Sequence, residues 1–164
     1  MRHPYTKTLY RYFAVQSFQF IEREHCLACP FFCPTDRARD LAFPHPARLP
    51  LGAAWRGFCQ APGQGQSPLS NRELESCNLG YAKSCPRLPK ERPCDSVRFG
   101  VAGDSGTRTS LQFVLESAHQ PAGHGCLEYD PLMGSWRTSH PDPRIQKMAE
   151  CFLQSYLERK NHLK

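Results

Sequence analysis

Seven of the nine cysteines of this 164-residue chain fall between positions 26 and 94, and ten of its fifteen prolines fall between Pro30 and Pro93. Proline fixes φ and removes a backbone donor, so this stretch is expected to fold as short turns and extended segments. Three of the cysteines open it, as His25-Cys26-Leu27-Ala28-Cys29-Pro30-Phe31-Phe32-Cys33-Pro34. A two-residue spacer in a turn brings two sulfurs to one side, so thiols at this spacing can converge on one metal ion or cluster. Apolar packing alone gives no reason for such spacing. The stretch predicts a metal centre, with Cys26, Cys29 and Cys33 as its first ligands.

A fourth ligand has to come from further along the chain. Cys85 and Cys94 bound a proline-rich loop and are the preferred candidates, with Cys94 named first. Cys59, Cys77 and His25 are further candidates, each of which could equally pack as a buried residue. One continuous helix from Cys77 to Cys85 would separate the two by about 12 Å along its axis, too far to share an ion. They could meet only if Gly80 breaks that helix. One four-ligand site with spare cysteines, and two sites that also use a histidine, both stay open.

The run Cys26-x2-Cys29-x3-Cys33-Pro34 resembles the last three cysteines and the proline of the bacterial ferredoxin motif. Arg23 stands where that motif carries its first cysteine. The resemblance implies a 4Fe–4S cluster with one remote cysteine, serving electron transfer or redox sensing. Zinc is the alternative, in a closed set of cysteine and histidine ligands that would make the protein a stapled binding module. Zinc knuckles usually carry glycine after the second cysteine, to free amides toward the sulfur, and this chain has Pro30 there. Cys85-Pro86-Arg87-Leu88-Pro89-Lys90-Glu91-Arg92-Pro93-Cys94 is faintly similar to a segment of the cysteine-rich zinc- or iron-chelating family, without that family's adjacent cysteine pair. It implies an architecture only: an N-terminal cluster to which later cysteines return.

The rest of the chain reads as regular structure around this stretch. Residues 5–24, with Leu9, Phe13 and Phe20, suit a helix, although Phe18-Gln19-Phe20 also alternates as a strand does. Pro44 through Pro68 reads as an exposed loop. Ser70-Asn71-Arg72-Glu73 is a capping-box pattern that opens a helix through Leu74, Cys77, Asn78 and Tyr81. Val97, Phe99 and Val101 alternate, as do Leu111, Phe113 and Leu115, and the turn residues Gly103-Asp104-Ser105-Gly106 between them predict a β-hairpin. A third strand is expected at residues 126–129. Asp142 as N-cap, Pro143, and then Ile145, Met148, Ala149, Phe152, Leu153, Tyr156 and Leu157 describe an amphipathic closing helix. Cys126 and Cys151 stand alone and are read as packing residues.

Enzymatic readings rank lower. Gly103-Asp104-Ser105-Gly106 copies the nucleophile segment of chymotrypsin-like proteases, but a hairpin turn explains the same four residues. His119, His124 and Cys126 could form a thiol–imidazole site, and read more simply as loop residues with surface histidines. Tyr10-Arg11-Tyr12-Phe13 and Trp55-Arg56-Gly57-Phe58 are short basic–aromatic pairs, so nucleic acid is a partner the sequence permits without supporting. The net charge of +6 is spread along the chain and selects no partner.

No stretch reaches the roughly 20 apolar residues of a membrane span. Glu22-Arg23-Glu24 follows the aromatic N-terminal run where a leader would carry small residues. The sequence therefore points to the cytoplasm, where clustered cysteines serve metal or redox chemistry more often than disulfides. It predicts one α+β domain over residues 1–164, with an unidentified protein partner. The loop-rich, metal-stapled half at 25–94 packs on a small antiparallel sheet and a C-terminal helix from 95–164.

Overall fold

The computed structural model describes residues 27–80 and 85–163. Cys26, His25 and the helix expected over 5–24 lie outside them. Among the described residues the elements are β1 (Phe32–Arg37), β2 (Trp55–Cys59), α1 (Asn71–Leu79), β3 (Ser96–Asp104), β4 (Thr109–Ser117), β5 (Gln120–Asp130), β6 (Ser135–Thr138) and α2 (Pro143–His162). β1 and β2 form an antiparallel pair, and β3 to β6 form an antiparallel meander in chain order. The fold is mixed α+β, as the sequence predicts. No helix among the described residues is long and apolar enough to cross a membrane.

The hairpin pairs as its pattern requires, with Val97 opposite Leu115, Phe99 opposite Phe113 and Val101 opposite Leu111. Directly opposed side chains share a face, so Val97, Phe99 and Leu111 are buried together with Phe113 and Leu115 packed beside them, while Val101 near the end of β3 is exposed. The third strand is longer than residues 126–129, because β4 continues to pair with β5 back to Gln120. α2 opens at Asp142, whose side chain accepts from the Arg144 amide, and Pro143 sits in its first turn. Ile145, Met148, Ala149, Cys151 and Leu153 are buried along its inner face, with Phe152, Tyr156 and Leu157 packed beside them.

The expected exposed loop from Pro44 to Pro68 is corrected. It contains β2, and Leu49, Leu51, Ala53, Ala54 and Trp55 are buried. β1 and β2 escape a sequence reading because each is short and carries proline or glycine within or beside it. Ala28 ties this pair to the meander: its amide donates to Val97 O at 2.7 Å, and the Val97 amide donates back to Ala28 O at 2.9 Å. One apolar cluster runs from Phe32 and Trp55 through Leu111 and Leu127 to Met148, so both halves of the chain share a core.

The Gly103–Gly106 segment is a turn with a structural task. Asp104 accepts from the Gly106 amide at 2.9 Å, and its second oxygen accepts from Tyr156 at 2.8 Å and from Lys160 at 2.7 Å. Ser105 bonds within the turn, to Thr107 and Arg108. These contacts dock the last turns of α2 on the hairpin and hold the Asp104 carboxyl down at about 2, through Lys160 first and then Gly106 and Tyr156. A carboxylate lowered from 3.8 stabilises the fold above that value, and the gain is lost as pH falls from 3.8 toward about 2. Asp104→Asn should therefore lower stability at neutral pH, and the gap from wild type should close on acidification to about pH 2. Urea titrations of both proteins between these pH values measure it, and a gap independent of pH would refute the linkage.

Candidate metal centre

Four cysteines from separate parts of the chain line one cavity of about 650 Å³: Cys29, Cys59, Cys77 and Cys85. Phe31, Phe32, Leu69 and Leu88 supply apolar wall, and Arg72, Glu73 and Arg87 supply charge. Each sulfur arrives for a local reason. Cys29 opens the turn that leads into β1, and the amides of Phe31 and Phe32 both reach its sulfur. Pro30 therefore does not prevent amides from facing the thiol, because the two residues after the proline provide them. Cys59 ends β2, and its sulfur accepts from the Ala61 amide at 3.4 Å.

Cys77 lies on α1, which the capping box fixes at its start. Ser70 accepts from the Glu73 amide while the Glu73 carboxylate accepts from the Ser70 amide at 2.8 Å. Asn78 docks the helix on β2. Its Nδ2 donates to Trp55 O at 2.8 Å and to Leu74 O at 2.9 Å, and its Oδ1 accepts from the Trp55 amide at 2.6 Å. A buried asparagine with three bonds to backbone serves as one rung of a strand ladder, which orients α1 and hence Cys77. The sequence placed Asn78 at helical spacing but carried no sign of this role.

α1 ends at Leu79, with Gly80 as its C-cap at φ +109°. A Cβ on Gly80 would stand 2.2 Å from Leu27 O. This close approach presses the segment leading to Cys29 against the end of the helix bearing Cys77. It also settles how Cys77 and Cys85 can share a site, because the helix stops before the chain returns through Cys85. There Cys85-Pro86-Arg87-Leu88 forms a turn, closed by the Leu88 amide on Cys85 O at 3.2 Å.

Two of the four thiols are held well above their ordinary range. Burial pushes the Cys29 thiol up to about 11, with Cys59 and Cys85 adding to the rise against the two amides. Burial pushes Cys77 up to about 12, with Cys29, Cys85 and Cys59 adding to it. Cys29 and Cys77 are therefore protonated thiols at neutral pH. Among the described residues no three cysteine, histidine, aspartate or glutamate side chains close around a single point. The four cysteines share a cavity.

Two of the candidate cysteines, Cys33 and Cys94, do not line this cavity. Cys33 follows Phe32 on β1, so its side chain leaves the opposite face of the strand. Phe32 pairs with Cys59 and lines the cavity, whereas Cys33 pairs with Phe58 and lies within electrostatic reach of Lys147 and Cys151 on α2. Cys94 is buried just before β3, beside Arg144, Asp142, Asp95 and Arg92 near the start of α2, and does not line the cavity. Cys59 and Cys77, ranked behind them on the sequence, do line it. Their signal was present in the cysteine count but not in the spacing.

Cys151 is buried as expected, and Cys126 is not. Leu127 points into the core, so its neighbour Cys126 faces outward on β5 beside the exposed His124. Asp130, at the end of the same strand, is held by Arg137 and by the amides of Leu132 and Met133. Trp55 is buried with the Arg37 guanidinium over its ring, and Arg56 pairs with Asp40 at 2.5 Å. That basic–aromatic pair presents no open stacking surface. No protein-family model, curated protein or solved structure matches this chain.

Proposed function

We propose that the protein binds a metal centre through Cys29, Cys59, Cys77 and Cys85, and that the centre is a 4Fe–4S cluster used in electron transfer or redox sensing. One observation carries the reading: four thiols, brought from a turn, a strand end, a helix and a second turn, line one cavity walled by phenylalanine and leucine. Packing alone does not require four thiols from four distant segments on one wall, since a core is filled as well by valine or alanine. The cavity, at about 650 Å³, is far larger than one ion needs. A cubane sets its four cysteines farther apart than a zinc ion does, for zinc draws each sulfur to about 2.3 Å. Amides aimed at the sulfurs of Cys29 and Cys59 suit a cluster, whose potential depends on hydrogen bonds to sulfur and on exclusion of water.

Protein purified without oxygen, or reconstituted with ferrous iron and sulfide, tests this through its absorbance spectrum and elemental content. The reading expects a brown protein with broad absorbance near roughly 400 nm and about four irons per chain. A colourless protein with stoichiometric zinc would overturn the iron assignment and make the four cysteines a structural staple. Absence of both metals would overturn the site.

A further inference from the structure

Arg87 reaches the cavity in an unusual state. Its Nε donates to Glu73 Oε1 at 2.7 Å, and its Nη2 lies 3.4 Å from Pro68 O. Nη1 is buried and has no hydrogen-bond partner among the described residues. The side chain is only 16 % exposed, so water does not readily replace the missing acceptor. A guanidinium cannot shed its charge, and a buried nitrogen with two idle protons lowers stability unless an acceptor arrives. Cys59 and Cys85 lie within its electrostatic reach, and both line the cavity that Arg87 also lines. The turn that places Cys85 at the cavity also places Arg87, two residues later.

Glu73 leaves the guanidinium little freedom to turn away. Its Oε2 is occupied by the Ser70 amide and hydroxyl, each at 2.8 Å, so the carboxylate that caps α1 also anchors Arg87. Cys77 rides on the same helix. The donor, its anchor and one ligand are therefore fixed by a single capping arrangement.

We propose that Arg87 Nη1 donates a hydrogen bond to the sulfur of the metal-bound centre on the Cys59–Cys85 side, and that Glu73 positions it there. This rests on the four-cysteine reading above. A metal–thiolate sulfur is an acceptor whose negative charge grows on reduction, so a fixed cationic donor favours the reduced state. Arg87 thus sets the potential of a cluster, or the hold on a zinc ion, without being a ligand.

The test compares wild type, Arg87→Met and Arg87→Lys after anaerobic loading with ferrous iron and sulfide, at matched iron content. At the wild-type midpoint, the ratio of reduced to oxidised Arg87→Met should fall about tenfold, a shift of roughly 59 mV to more negative potential for one electron. Arg87→Lys keeps a charge but loses the fork that spans Glu73 and sulfur, so it should shift the same way by less. It also serves if the methionine variant does not fold. An unchanged potential in whichever variant folds overturns the proposal while leaving the cluster intact. If wild type takes only zinc, the iron reading fails by itself. Zinc transfer to a chelator then decides on Arg87: about tenfold faster in Arg87→Met supports the role, and an equal rate overturns it. A wild type that binds neither metal overturns both.

Discussion

Cys77→Ser should strip the protein of most of its metal, while Cys33→Ser leaves metal content as in wild type. Serine preserves shape at both positions, so the contrast isolates the sulfur. Cys77 shares the cavity with Cys29, Cys59 and Cys85, whereas Cys33 leaves the other face of β1 toward α2. Binding and folding are coupled at such a site, and a lost ligand is felt as lost stability. A coupled loss of even about 3 kcal/mol would lower the Tm of a domain of this size by roughly 6–12 °C. In metal-free protein the same substitution should have little effect. Metal analysis and thermal melts of Cys29→Ser, Cys59→Ser, Cys77→Ser and Cys85→Ser should agree with one another and differ from Cys33→Ser and Cys94→Ser. Full metal retention in Cys77→Ser, or loss in Cys33→Ser, would place the centre elsewhere.

Gly80→Ala should be strongly destabilising although it alters no cysteine. Its φ of +109° with ψ of −145° is a region that side chains avoid, and the new Cβ would meet Leu27 O at 2.2 Å. The obstacle is backbone, which cannot swing aside. Strain and displacement together should cost about 2–4 kcal/mol in denaturant titrations. Gly63→Ala separates the two contributions. Gly63 has φ +78° but nothing within 4 Å of the added carbon, so it should lose only about 1 kcal/mol. Because Leu27 leads directly to Cys29, and Gly80 ends the helix of Cys77, Gly80→Ala should also weaken metal binding. A Gly80→Ala protein as stable as Gly63→Ala would mean that the two segments are not pressed together.

The parts legible in advance are those governed by neighbours in sequence. The capping box at Ser70–Glu73 formed because both of its bonds lie within one turn. α2 formed with its expected buried face, since a 3.6-residue period and an Asp-Pro start are local instructions. The Val97–Leu115 hairpin formed for the same kind of reason, from alternation on either side of a turn. β1 and β2 were missed where proline, glycine and shortness hide any period, and only pairing with a distant partner makes them strands.

The candidate centre divides along the same line. Composition and spacing were enough to expect a thiol-lined site in the first half of the chain and to name Cys29 and Cys85. They could not tell Cys33 from Cys59, because proximity in sequence argues for the former while strand parity sends it to the opposite face. Nor could they raise Cys77 above a further candidate, since its place depends on Asn78 holding α1 against Trp55 and on Gly80 ending the helix against Leu27. By itself the sequence determined the two capped helices and the hairpin, and that thiols would gather in the first half of the chain. The tertiary structure alone decided which thiols line one cavity, because side-chain direction in a strand reverses at every residue, and residues far apart in sequence meet only through packing.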